Sequence, residues 1–137
     1  MLQVELVSPE KVLYSGQASF VRARTVGGGE IAFLTGHAPF IGALDISSVK
    51  VIVESGEELF FAVHGGFVEV SDDTVTILSD VAELQSDIDV SRAEEARARA
   101  EADLRTNPDD EEANAALKRA EVRIEVAGRS PATTARH

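Results

Sequence analysis

Apolar and polar residues alternate along roughly the first 85 positions of the chain and then change period. In Leu2-Gln3-Val4-Glu5-Leu6 every second side chain is apolar, the pattern of a strand with one buried face. Phe20-Val21-Arg22-Ala23-Arg24-Thr25-Val26 repeats it and sets both arginines on one face. Strands are also predicted at Val49-Lys50-Val51-Ile52-Val53, Leu59-Phe60-Phe61-Ala62-Val63, Phe67-Val68-Glu69-Val70 and Val75-Thr76-Ile77-Leu78. Turn formers stand between them: Ser8-Pro9, Ser15-Gly16, Gly27-Gly28-Gly29, Ser55-Gly56, Gly65-Gly66 and Asp72-Asp73. Short strands at this spacing predict an all-β antiparallel sandwich or barrel over residues 1–86.

Residues 87–137 carry helical periodicity. A first helix is expected from Asp89, as N-cap, to about Arg105. Thr106-Asn107-Pro108-Asp109 breaks it, and Asp109 with Glu112 has the spacing of a capping box for a second helix. That helix runs to about Ala127, with Gly128 as its C′ stop. So short a connection makes the pair an antiparallel hairpin. The segment after Gly128 has no periodicity and reads as a loose tail.

The apolar stripe of the first helix is Val90, Ala93, Ala96, Ala100 and Leu104; that of the second is Ala113, Leu117, Ala120, Ile124 and Ala127. Alanine favours helix but buries little area. The stripes therefore predict two good helices weakly held together, an element able to separate as a switch does. A plain solvated hairpin has the same periodicity.

Composition narrows the function. There is no cysteine, which excludes disulfides and thiolate chemistry. No apolar run approaches the roughly 18 residues of a membrane span, and Met1-Leu2-Gln3-Val4-Glu5 lacks the marks of a secretory leader. The net charge of −11 disfavours nucleic acid and anionic membrane surfaces as partners. Residues 1–86 carry a net −8, residues 87–137 a net −3, and eight of the ten arginines lie in the second part. An anion finds concentrated positive charge only there. No nucleophile–base set is present. His37, His64 and Glu30 lack the close spacing of a metal site, and Gly27-Gly28-Gly29 lacks the ending of a P-loop.

Three strings carry a family resemblance. Gly29-Glu30-Ile31-Ala32-Phe33-Leu34-Thr35-Gly36-His37-Ala38-Pro39-Phe40 resembles the G-E-x-x-x-L-x-G-H-A-P stretch of F-type ATP synthase epsilon subunits. His64-Gly65-Gly66-Phe67-Val68-Glu69-Val70, followed by Val75 to Glu83, is similar to the family's second signature. The opening, Val7-Ser8-Pro9-Glu10 before Val12-Leu13-Tyr14-Ser15-Gly16, is similar too. The resemblance runs from Met1 to about Ala127; the glycine run at 27–29 and the tail depart from it. It implies a non-catalytic part of the central rotor, peripheral on the cytoplasmic face of the membrane. The sandwich would bind the gamma subunit and the c ring. The helices would either lie on the sandwich or rise toward the alpha and beta subunits and block ATP hydrolysis. Glu30 and His37 match positions near the c-ring loops in the family.

Ile88-Asp89-Val90-Ser91-Arg92-Ala93 resembles the I/L-D-x-x-R-A motif with which some bacterial epsilon subunits bind ATP. By that resemblance Glu83, Asp89, Arg92, Arg99, Arg119 and Arg123 are the candidate ATP-binding residues. Phosphates need several guanidinium donors, and a carboxylate can accept from base or ribose. Arg92 has Asp89 and Glu95 within helical reach, and Arg99 has Glu95 and Asp103, so surface pairs can satisfy both. Arg119 and Arg123 have no acid three or four residues away, so their own helix is expected to leave them unanswered. An antiparallel turn near 106–109 brings the four arginines toward one seam, where an anion, or acids of a partner, would relieve their repulsion. A free-standing nucleotide-sensing module is the alternative to a rotor subunit.

Overall fold

The computed structural model describes residues 1–129; the tail expected after Gly128 lies, from residue 130 on, outside them. The strands are β1 (Leu2–Val7), β2 (Val12–Thr25), β3 (Gly29–Phe33), β4 (Phe40–Val53), β5 (Glu58–Ser71), β6 (Thr74–Leu78) and β7 (Ala82–Leu84). A 3-10 turn, Gln85–Asp87, leads to helices α1 (Val90–Thr106) and α2 (Glu111–Ala127). The strand order is β1-β6-β5-β4-β2-β3, and β1 also pairs with β2, so the strands close around one core. The β-sandwich followed by a helical hairpin is the architecture the periodicity predicts.

Two details of the sandwich differ from the sequence expectation. The β1–β6 pairing is parallel, because β1 closes the sheet between β6 and the antiparallel β2. Ser15-Gly16 and Gly65-Gly66 are not turns; both lie inside 14-residue strands. Gly65 and Gly66 have φ of 87° and 125°, and a Cβ on Gly66 would sit 2.1 Å from the Leu78 carbonyl oxygen. Bare backbone is required there because β5 changes neighbours at this point. Phe61–Val63 pair with β7, and Phe67–Ser71 with β6.

Alternation decides which side chains enter the core. Leu2, Val4 and Leu6 are fully buried, as are Phe33, Phe61 and Ile77. The intervening residues of β5, Phe60, Ala62 and His64, stand on the opposite face. Helix α2 covers that face. Val122 and Val126, four residues apart on α2, join Phe60 and Ala62 in a second small apolar cluster, with Ile46 and Ile88 packed against it. Two ion pairs tie α2 to the sheet: Lys118 to Asp45 at 2.8 Å and Arg123 to Glu83 at 2.6 Å.

Asp89 caps α1 as expected, its side chain accepting from the Arg92 N–H at 3.1 Å. The cap of α2 is Asp110, not Asp109; its Oδ1 accepts from the Ala113 N–H at 3.0 Å. The reason is Asn107. Its side chain accepts from the Asp109 N–H and its carbonyl from the Asp110 N–H, a local turn that delays the helix by one residue. Gly128 is the C-cap of α2 in right-handed conformation, φ −82°, so its glycine freedom is not used as a left-handed C′ stop.

Candidate functional site

Glu83 is the middle residue of β7 and pairs with Ala62, which turns its side chain toward α2. Asp89 begins α1, and Arg92 and Arg99 follow on that helix at a seven-residue interval, two turns apart on one face. Arg123 comes from α2. These five residues, with Asp87, Ala93, Glu95 and Ala96, line one cleft of about 380 Å3 between β7, the 3-10 turn and the two helices. Five of the six residues singled out by sequence are thus brought together. Arg119 is not among the lining residues.

For three of the four arginines the charge partners differ from those expected, while Arg123 is, as expected, unanswered by its own helix. Among the described residues Arg92 and Arg99 make no ion pair, although acids lie within helical reach. Arg119, expected to be unanswered by its own helix, pairs with Glu112 at 2.7 Å. Seven residues are nearly two full turns, so Glu112, freed from the capping box, stands on the same face. Arg123 donates from Nε to Glu83 Oε1 at 2.6 Å, a partner from the sandwich. A phosphate entering the cleft therefore meets two unpaired guanidiniums on α1 and a third that must first leave Glu83.

Beneath this pair lies His64. Its side chain is 3% exposed, and Nε2 is 3.3 Å from the Glu83 oxygen that accepts from Arg123. Burial, then the charge of Arg123, holds the imidazole pKa below its ordinary value; the Glu83 hydrogen bond acts the other way and does not prevail. The sequence offers His64 only as a metal ligand, which its spacing disfavours, and not as a partner of Glu83. Its signal was parity: it shares a face with Phe60 and Ala62, and Val122 with Val126 marks the helix that covers that face.

The rotor-interface candidates do not come together. Glu30 pairs with Arg24 at 3.2 Å beside the cleft under α2 that Lys118 also lines. His37, beyond the other end of β3, packs edge-on against Phe33 with ring centres 4.9 Å apart. The sandwich also exposes large apolar side chains. Phe67 and Leu78 border a cleft of about 260 Å3 with Val7 and Pro9, and Ile41 stands 72% exposed beside Phe40 and Pro39. No described helix is long and apolar enough to cross a membrane. Among the described residues no group of three or more potential ligands is placed to hold a metal.

Comparison with known proteins agrees across both halves. The ATP synthase, Delta/Epsilon chain, beta-sandwich domain matches residues 1–85, and the long alpha-helix domain of the same chains matches residues 86–128. The ATP synthase epsilon chain of Brevibacillus brevis is 49% identical over 100 residues, covering 73% of this chain and 75% of that one. That of Halalkalibacterium halodurans is 43% identical over 132 residues, covering 93% and 98%. A chain in the OSCP/F1/c-ring structure of the Euglena gracilis mitochondrial ATP synthase shares the fold, with a TM-score of 0.77 at 24% identity over 93% of this chain and 81% of that one. With both domains matched in order and a relative aligned over nearly its whole length, the chain belongs to the family of ATP synthase epsilon chains, regulatory and structural subunits rather than catalytic ones.

Proposed function

We propose that the sandwich joins the gamma subunit to the c ring, on the cytoplasmic side of the membrane, while the hairpin leaves the sheet to restrain ATP hydrolysis at the alpha and beta subunits. ATP, held between the helices and Glu83, keeps the hairpin down. The exposed Phe67, Leu78 and Ile41 favour docking of the sandwich on protein partners, since contiguous apolar surface is otherwise unfavourable in water. Family membership favours a rotor part over a free-standing nucleotide sensor.

The ATP reading rests on one observation: Glu83, Asp89, Arg92, Arg99 and Arg123, from three elements, share one cleft. Guanidiniums from both helices on one polyanion would hold the helices together more firmly than alanine contacts do. Calorimetry of the full chain with ATP is expected to give a binding heat that Arg123→Ala abolishes or greatly weakens. No heat at millimolar ATP contradicts the reading. In the parent complex, removing residues 87–137 is expected to raise ATP hydrolysis; an unchanged rate contradicts inhibition. Stable copurification with gamma through residues 1–86 tests the rotor role.

A further inference from the structure

The Glu83–Arg123 pair that joins hairpin to sheet rests on a histidine whose surroundings differ sharply between a covered and an uncovered sheet. His64 lies on the face of β5 that α2 covers, next in alternation to Phe60 and Ala62. Its Nε2 faces Glu83, so in the neutral ring that nitrogen carries the hydrogen and donates. The second nitrogen, Nδ1, is buried and has no hydrogen-bond partner among the described residues. A second proton can be added only at Nδ1, where the new N–H would find no acceptor and the ring's charge would face Arg123. Lift α2 away and both obstacles go: water reaches Nδ1, Arg123 departs, and Glu83 remains as an anionic neighbour.

We propose that His64 makes seating of the helical hairpin on the sheet a proton-linked equilibrium, in which proton uptake by the imidazole releases α2. This rests on the reading that the hairpin can leave the sheet.

The charged groups acting on the ring are Arg123 and Arg119 from α2 and Glu83 from β7. Asp87, the charged residue of the 3-10 turn, lines the cleft with Glu83, and β4 presents Ile46 as the cross-strand neighbour. The sign follows from them. The docked ring binds its second proton more weakly than a free histidine. The docked state is therefore fully favoured above the ordinary histidine value of 6.5 and loses ground as pH falls below it. One proton limits the slope to about tenfold in the docking constant per pH unit.

The full chain contains no cysteine, so Ser55→Cys and Ala102→Cys place a donor and an acceptor dye on sandwich and hairpin without competing thiols. From about pH 7.5 to 5.5, a window above the carboxylate range, the separation is expected to lengthen. In His64→Gln it is expected to stay constant. Val122→Asp, which puts a charge into the apolar cluster, is expected to lengthen it at every pH. A second measurement follows the His64 ring by NMR: its pKa should be lower in the wild type than in Val122→Asp. Equal pKa values, or the same pH response in His64→Gln as in the wild type, overturn the proposal. If Val122→Asp fails to lengthen the separation, the mobile hairpin itself is wrong and the proposal falls with it. If Val122→Asp lengthens it while the wild type ignores pH, the proton linkage alone is wrong.

Discussion

The core of the sandwich is filled mainly by leucine, valine, isoleucine and phenylalanine side chains with almost no exposure, whereas the buried seam positions of the hairpin, Ala93, Ala100, Ala113 and Ala120, are all alanine. The larger seam residues Leu104, Leu117 and Ile124 are only half-buried. Burying a Leu, Val or Phe side chain contributes ~1.5–3 kcal/mol, and an alanine methyl about 0.8 kcal/mol. Contact with the sheet adds chiefly Val122 and Val126, in a cluster separate from the main core. The two parts are therefore built to respond to perturbation on different scales. One is a plug that must stay folded; the other is a pair of rods whose docking is decided by a few groups.

The largest effect should come from the plug. Phe61→Ala empties a fully buried site in the central strand and should lower unfolding stability by about 3–5 kcal/mol, read by denaturant titration of sheet signals. A loss as large at any single seam residue would erase the distinction. Next comes the cleft. Arg123→Ala should weaken ATP binding at least about tenfold, the loss of a charged hydrogen bond worth ~1.5–3 kcal/mol, whereas Arg119→Ala should change it less than about threefold. Calorimetry separates the two, because Arg119 is occupied by Glu112 outside the cleft.

Val126→Ala removes two methyl groups from the small cluster and should weaken docking by about 1.6 kcal/mol, with the midpoint of sandwich unfolding little moved. Asp89→Ala should remove about 1 kcal/mol of α1 stability, seen as faster amide exchange in its first turn. Lys118→Ala should be the smallest, under about 0.5 kcal/mol after allowance for exposure, since its side chain is 47% exposed. Its hydrogen bond holds the Asp45 carboxyl below the ordinary carboxylate value of 3.8. That contribution is present above 3.8 and fades as pH falls through the lowered value, well below the window in which His64 acts.

The sequence made the two periods, the hairpin and the Asp89 cap legible because each depends on residues close along the chain. Gly65-Gly66 misled because a glycine pair marks a turn or a strand changing neighbours equally well, and only the approach of Leu78 decides between them. The shift from Asp109 to Asp110 turned on the Asn107 side chain, a local competition that spacing rules do not rank. In the site, five of the six residues share one cleft, but their charge partners were not legible. Arg123 meets Glu83 forty positions earlier, a contact between domains. Arg119 meets Glu112 at two helical turns, beyond the reach assumed for neighbours. The Val122–Val126 face is hidden in the sequence because the seam stripe of Ala113, Leu117, Ala120, Ile124 and Ala127 already supplies an apolar side for α2.

Hydrogen exchange of the full chain, residue by residue, compares the two parts in one experiment. Amides of Val51, Phe61 and Val63 should exchange only through global unfolding, while those of Ala100 and Ala120 should exchange orders of magnitude faster, since 17-residue helices are marginal once undocked. Equal protection in helices and central strands would mean that hairpin and sandwich open as one unit, and would contradict the account.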